Sequence, residues 1–147
     1  MTSPHLFDDL RRDEGLRLEA YPDPLSGGAP WTIGHGHTGP DVHVGMLWSE
    51  AQADNALGVD IARTIRALDA QMPWWRKLDD IRQDVIANMA FNLGVGKLET
   101  FDTFLAFARA RDYAKAGLDL RGTAWARQVG ERAHRLSNQM ATGVHQP

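Results

Sequence analysis

Glu14, Asp23 and Thr32 follow one another at intervals of nine residues, and Thr32 opens the string Thr32-Ile33-Gly34-His35-Gly36-His37. Two carboxyl groups in different surroundings, with a hydroxyl nearby, are the groups that cleavage of a glycosidic bond requires. One carboxyl must donate a proton to the leaving oxygen while the other stays ionised and directs water. Leu6, Leu10 and Glu14 recur at helical spacing, so Glu14 is expected beside apolar neighbours at the negative end of a helix, and both conditions favour the proton-carrying acid. Asp23 lies between Pro22 and Pro24, where open, polar surroundings suit an ionised group. Each residue also has an ordinary use: a charged helix end, an Asp closing its own turn, a Thr that suits a pleated strand.

Several elements must position these residues. Ser3 can cap a first helix with Pro4 in its opening turn, ended by Gly15. Residues 16 to 21 then alternate, with Leu16, Leu18 and Ala20 on one side, which is the period of a strand. After the turn region Pro22 to Pro30, a second strand is expected over Trp31 to Gly36. His35 and His37 would then share a strand face. Ser49-x-x-Gln52 reads as a capping box opening a long helix through Leu57, Ile61, Ile65 and Leu68, which stops near Pro73. Asp79 or Asp80 can open a further helix closed near Gly94. Shorter helices are expected around Phe104, over Tyr113 to Leu120, and over Glu131 to Ala141.

With 147 residues, 43% of them hydrophobic, the chain can bury the core of one domain. It has no cysteine, which excludes disulfides and thiol chemistry. The first residues carry no signal-peptide pattern and no stretch suits a membrane span, so a cytoplasmic start is expected. Net charge is −3, yet residues 1 to 60 hold three Lys+Arg against ten Asp+Glu, whereas 61 to 147 hold thirteen against nine. The later half can attract an anionic polymer. No basic run or RNA-binding motif points to nucleic acid. His35, His37 and His43 invite a zinc reading, but nothing completes a ligand set, and neither metal nor cofactor is expected.

The string Asp13-Glu14-Gly15-Leu16-Arg17-Leu18-Glu19-Ala20-Tyr21-Pro22-Asp23, followed by Thr32 to His37, closely resembles the start of phage-type lysozymes, the endolysins of glycoside hydrolase family 24. Phe91-Asn92-Leu93-Gly94 and the stretch Trp125 to Arg135 look like later family segments, so the resemblance covers most of the chain. It implies Glu14 as proton donor, with Asp23 and Thr32 directing water and the product inverted. By the same resemblance Asn92, Asp119 and Phe91 bind substrate, although Phe91, like Phe101, Trp125 and Trp74-Trp75, also suits packing. Arg132 would stand against the catalytic acid, Arg135 would face Asp13, and His37 would pair with Asp60.

The expected architecture is therefore α+β and lysozyme-like: a small hairpin lobe at about 15–45, and a larger, mainly helical lobe from 1–14 and 49–147 that includes the connecting long helix. The 147 residues would form one domain with its cleft between lobes. The expected activity is hydrolysis of the bond between N-acetylmuramic acid and N-acetylglucosamine in peptidoglycan by a monomer. A separate membrane-permeabilising, holin-type protein would let it reach the wall for host lysis. The alternatives are a peptidoglycan-binding or particle-assembly protein without turnover, and a lytic transglycosylase.

Overall fold

Ser3 sets the start of the chain: its backbone N–H donates to Asp84 Oδ1 at 2.8 Å and its hydroxyl donates to Asp84 Oδ2. The same hydroxyl accepts from His5 N–H at 3.1 Å, so Ser3 caps the turn that leads into helix α1, Leu6–Glu14. This computed structural model describes residues 1–147. The chain forms an α+β fold of eight α-helices and one small antiparallel sheet. Its internal contacts divide it into two compact units, residues 7–63 and residues 1–6 with 64–147, and the division falls within the 22-residue helix α2, Glu50–Gln71.

In the first unit, β1 (Arg17–Tyr21), β2 (Thr32–Gly34) and β3 (His37–Thr38) pair in the order β1-β2-β3. The single strand expected to Gly36 is instead a strand, a tight turn and a strand, with Ile33 opposite His37 and Thr32 opposite Thr38. Gly34 and Gly36 make this possible, because both take positive φ, 69° and 77°, which disfavours residues with a Cβ. His35 consequently lies in the turn and His37 in β3, so the shared strand face expected for them does not form. Ala20, Ile33 and Val42 are the buried centre of this unit, with Trp31, Met46 and Trp48 packed around them. The alternation of β1 is only partly realised. Ala20 is buried but Leu16 and Leu18 are exposed, because so small a lobe lacks the material to cover them.

The capping box at the head of α2 forms reciprocally: Ser49 N–H donates to Gln52 Oε1 at 2.8 Å, and Gln52 N–H donates to Ser49 Oγ at 3.2 Å. In the second unit a 3-10 turn over Pro73–Lys77 buries Trp75 completely. Asp79 rather than Asp80 caps α3, Asp80–Leu93, accepting from Arg82 N–H at 3.2 Å. Gln83, buried on α3, donates to the carbonyls of Arg76 and Leu78 at 3.0 and 2.8 Å and fixes the 3-10 turn. The remaining helices are α4 (Val95–Leu98), α5 (Asp102–Arg109), α6 (Tyr113–Arg121), α7 (Ala124–Val129) and α8 (Glu131–Thr142). Phe104, Met89, Leu98, Leu120 and Met140 fill the space among them. No helix is long and apolar enough to cross a membrane.

Helices α6 and α8 approach closely at Gly117, where an added Cβ would stand 2.6 Å from the Ser137 carbonyl oxygen and 3.1 Å from Ala141 Cβ. Alanine would gain about 1 kcal/mol of helix propensity. Against that, overpacking against backbone costs about 1–3 kcal/mol, and a carbonyl in a helix cannot swing aside. Gly117→Ala is therefore expected to lower the thermal midpoint by about 5 °C. A raised midpoint would contradict this packing.

Candidate active site

Glu14 is the last residue of α1, and its carboxylate lies against the backbone of the β2–β3 turn. An added Cβ on Gly36 would be 2.8 Å from Glu14 Oε2. The glycine string thus lets main chain approach the carboxyl to a distance that no side chain permits. Thr32 sits on the central strand β2, half-buried, opposite Tyr21 of β1 on one side and Thr38 of β3 on the other. Asp23 follows Tyr21 by two residues. Its loop is closed by Asp23 N–H to Gly28 O at 2.9 Å and Gly27 N–H to Asp23 O at 2.8 Å. Its carboxylate oxygen Oδ2 accepts from Ser26 N–H at 3.0 Å, so the turn-closing use of Asp is realised here. The second oxygen, Oδ1, is left available to a partner. Glu14, Asp23 and Thr32 all belong to the unit of residues 7–63.

The sequence offers His35 only as a candidate ligand, and the structure gives it another role. It is buried, with Nδ1 2.6 Å from the carbonyl oxygen of Gly15 and Nε2 2.9 Å from Asp54 Oδ1. Gly15 is the residue after Glu14, and Asp54 is on α2, where it also meets Arg11 Nε at 3.2 Å. His35 therefore braces the end of α1 against α2 immediately beside Glu14. The position of His35 between two glycines was the available signal, since a large side chain in a glycine turn has to pack somewhere. Its partners lie twenty and nineteen residues away and could not be read locally.

His37 Nδ1 is 2.7 Å from Asp60 Oδ2 and Nε2 is 3.0 Å from Asp41 Oδ2. Burial opposes a charge on His37, but the hydrogen bonds and the charges of Asp60 and Asp41 outweigh it, and the His37 pKa is raised. The bond from His37 in turn lowers the pKa of the exposed Asp41. A histidine whose folded pKa is raised adds stability that is complete below its unfolded value of about 6.5 and fades as pH rises through the folded value. The thermal midpoint is therefore expected to fall as pH rises from about 6 to 8. Asp60→Asn should lower it by about 5 °C at the acid end and flatten the slope, since a charge-assisted bond contributes about 1.5–3 kcal/mol. An unchanged slope in the variant would contradict the assignment. His43 is exposed, with Nδ1 3.1 Å from the Val44 carbonyl, so the three histidines face different partners. Asp13 carries Arg12 Nε 3.2 Å from its Oδ1.

The other candidate residues lie in the second unit. Asn92, exposed at the end of α3, accepts from Trp125 Nε1 at 2.7 Å, and Phe101 meets Trp125 edge-on with ring centres 6.3 Å apart. A cavity of about 500 Å3 runs beside them, walled in part by Lys97, Phe101, Trp125 and Gln128. Phe91 and Asp119, both half-buried, are not among its walls. Arg132 is buried on α8, donating from Nε to Asn88 Oδ1 at 2.8 Å and from an Nη to Asn88 O at 3.4 Å. Arg135, one turn further on, is half-buried. A slightly larger cavity of about 540 Å3, bounded by Gln71, Trp74 and Arg109 among others, contains none of the candidate residues. Volume alone therefore does not locate the chemistry.

A mostly helical α+β chain with a small three-stranded lobe, in which a helix-terminal glutamate meets a glycine turn, Thr32 lies on the central strand and Asp23 in the loop after β1, has the architecture of a lysozyme. The model of the Phage lysozyme family matches residues 11–141, and the chain belongs to that family. It is 32% identical over 159 residues to the pre-baseplate central spike protein Gp5 of Enterobacteria phage T4, covering 91% of this chain but 27% of that protein. It is 32% identical over 109 residues to the endolysin of Bacillus phage B103, covering 73% of this chain and 39% of that one. It is 26% identical over 162 residues to probable T4-type lysozyme 1 of Dictyostelium discoideum, covering 93% and 94% of the two chains. The chain thus spans well under half of the first two relatives and nearly all of the third.

Proposed function

We propose that this protein hydrolyses the β-1,4 bond between N-acetylmuramic acid and N-acetylglucosamine in bacterial peptidoglycan. Glu14 donates the proton to the leaving oxygen, and Asp23 with Thr32 orients water on the opposite side of the sugar ring. The observation that carries the proposal is the close approach of the Gly36 backbone to Glu14 Oε2. It fixes one carboxyl at a helix end while Asp23 and Thr32 stand on the adjoining hairpin. Asp13, His37 and Asp60 support the site by holding the hairpin and the first helix, as His35 does. Asn92, Asp119 and Phe91 contact the glycan or its peptide, and Arg132 and Arg135 complete the supporting set. No metal or cofactor takes part. We infer inversion, which calls for about 6.5–9.5 Å between the two carboxyl groups to admit water.

In a cell the enzyme acts as a monomer on the wall of the host, reaching it with a holin-type partner at lysis. The name of one relative, a pre-baseplate central spike protein, supports a second setting in which the same domain is part of a phage particle. The test is clearance of a purified peptidoglycan suspension by the folded protein. Loss of turbidity supports hydrolysis, whereas an unchanged suspension across pH and salt, with protein retained on the sacculi, would replace it with binding or assembly.

A further inference from the structure

Helix α5 ends in an unusual way. Asp112 N–H donates to Phe107 O at 2.9 Å and Arg111 N–H to Ala108 O at 3.1 Å, which is the bond pattern of a Schellman cap. The left-handed position of that cap normally holds glycine, but here it holds Arg111, with φ of 65°, the sole residue other than glycine at positive φ. Keeping a side chain there carries a backbone cost that glycine would avoid. Arg111 lines a cavity of about 240 Å3 together with Lys77, Arg109, Trp74 and Tyr113, and no carboxylate is among the walls.

The three cations are also unusual for their neighbourhood. Arg76 pairs with Asp69, Arg82 with Asp79, and Lys115 with Asp112. Lys77, Arg109 and Arg111 form no ion pair; Arg109 makes only a cation–π contact, with its guanidinium 5.7 Å from the Trp74 ring centre. The three exposed cations line one small cavity with no carboxylate among its walls, so an anion seated there would meet all three. Tyr113 is held by Arg82, whose guanidinium carbon is 3.6 Å from the ring centre and which is itself anchored to the Met140 carbonyl at 2.7 Å. The Tyr113 side of the cavity is therefore fixed. Glu99 and Asp102 belong to the adjoining cavity, which shares only Trp74 and Arg109, so the positive end is that of Lys77 and Arg111.

We propose that this cavity is a binding site for a phosphorylated sugar, with the phosphate between Lys77 and Arg111 and the apolar side of the sugar ring against Trp74 and Tyr113. The volume is below the range of about 300–1,000 Å3 typical of larger ligands and suits one sugar phosphate unit. A doubly charged phosphate answers several converging cations better than a single carboxylate does. The proposal is independent of the hydrolytic reading, since it is tested by binding alone.

The test is isothermal titration of the full chain with glucose 6-phosphate, inorganic phosphate and glucose at low salt. Glucose 6-phosphate should bind at least about ten-fold tighter than inorganic phosphate, glucose should not bind, and added salt should weaken binding. Arg111→Gly removes a cation while relaxing the backbone, so it should weaken glucose 6-phosphate at least about five-fold without lowering the thermal midpoint. Lys77→Gln should weaken it similarly. Retention by vesicles of phosphorylated but not dephosphorylated lipopolysaccharide would support the site and identify a surface polymer as the source. Glucose 6-phosphate binding without such retention would support it with a soluble source. Equal binding of all three solutes, unchanged affinity in both variants, or no binding would overturn it.

Discussion

Glu14→Gln is expected to fold as the parent does and to lose about 100- to 10,000-fold in turnover on peptidoglycan, the contribution of a positioned general acid. Glutamine has nearly the shape of glutamate, so contact with the Gly36 turn survives while the transferable proton does not. The loss should appear in kcat with little change in KM, because the interaction removed belongs to the transition state. Steady-state rates on soluble wall fragments, with melting curves beside them, make the measurement. A folded Glu14→Gln variant with near-parental turnover would remove Glu14 from the chemistry.

Gly36→Ala is the second large effect, and it acts through position rather than through a reacting group. An added Cβ at Gly36 would lie 2.8 Å from Glu14 Oε2, and the φ of 77° there is one that alanine resists. The atom in the way is the end of a flexible side chain, so the carboxyl moves rather than the backbone. A displacement of about 1 Å costs about 100-fold in rate, while the left-handed backbone costs about 1–2 kcal/mol of stability. Gly45→Ala provides the control, since Gly45 has φ of 81° but nothing within 4 Å of an added Cβ. Both variants should lose similar stability, and only Gly36→Ala should lose most of its turnover. Equal turnover in the two would show that the Gly36 contact does not hold Glu14 in place.

What could be read from sequence was what local rules govern. The Ser49–Gln52 box, a cap at Asp79 or Asp80 and the stop at Gly94 are contained within a few residues of chain, and the structure has the box, the stop and, of the two aspartates, Asp79 as the cap. Helices α4 and α7 were not foreseen, because four and six residues are too few to display a periodicity. The break between β2 and β3 was missed for a different reason. Thr32 to His37 reads as a strand by residue type, and only the positive φ values of Gly34 and Gly36 turn it back on itself. The candidate site shows the same division. Glu14, Asp23 and Thr32 are proposed from residue type together with the resemblance of the string around them, whereas the brace from His35 to Gly15 and Asp54 depends on contacts between elements. The Lys77, Arg109 and Arg111 cavity likewise draws on the end of the 3-10 turn and the end of α5, more than thirty residues apart in the chain, and no local pattern marks it.

The measurement that tests the central claim most directly is mass analysis of the fragments released from purified peptidoglycan, with the new ends assayed for reducing sugar. Cleavage at the muramic acid side by addition of water predicts fragments with reducing N-acetylmuramic acid ends, obtained with the parent and not with folded Glu14→Gln. Fragments lighter by one water, carrying an anhydro sugar, or an intact polymer after prolonged incubation with folded protein would contradict the hydrolytic account.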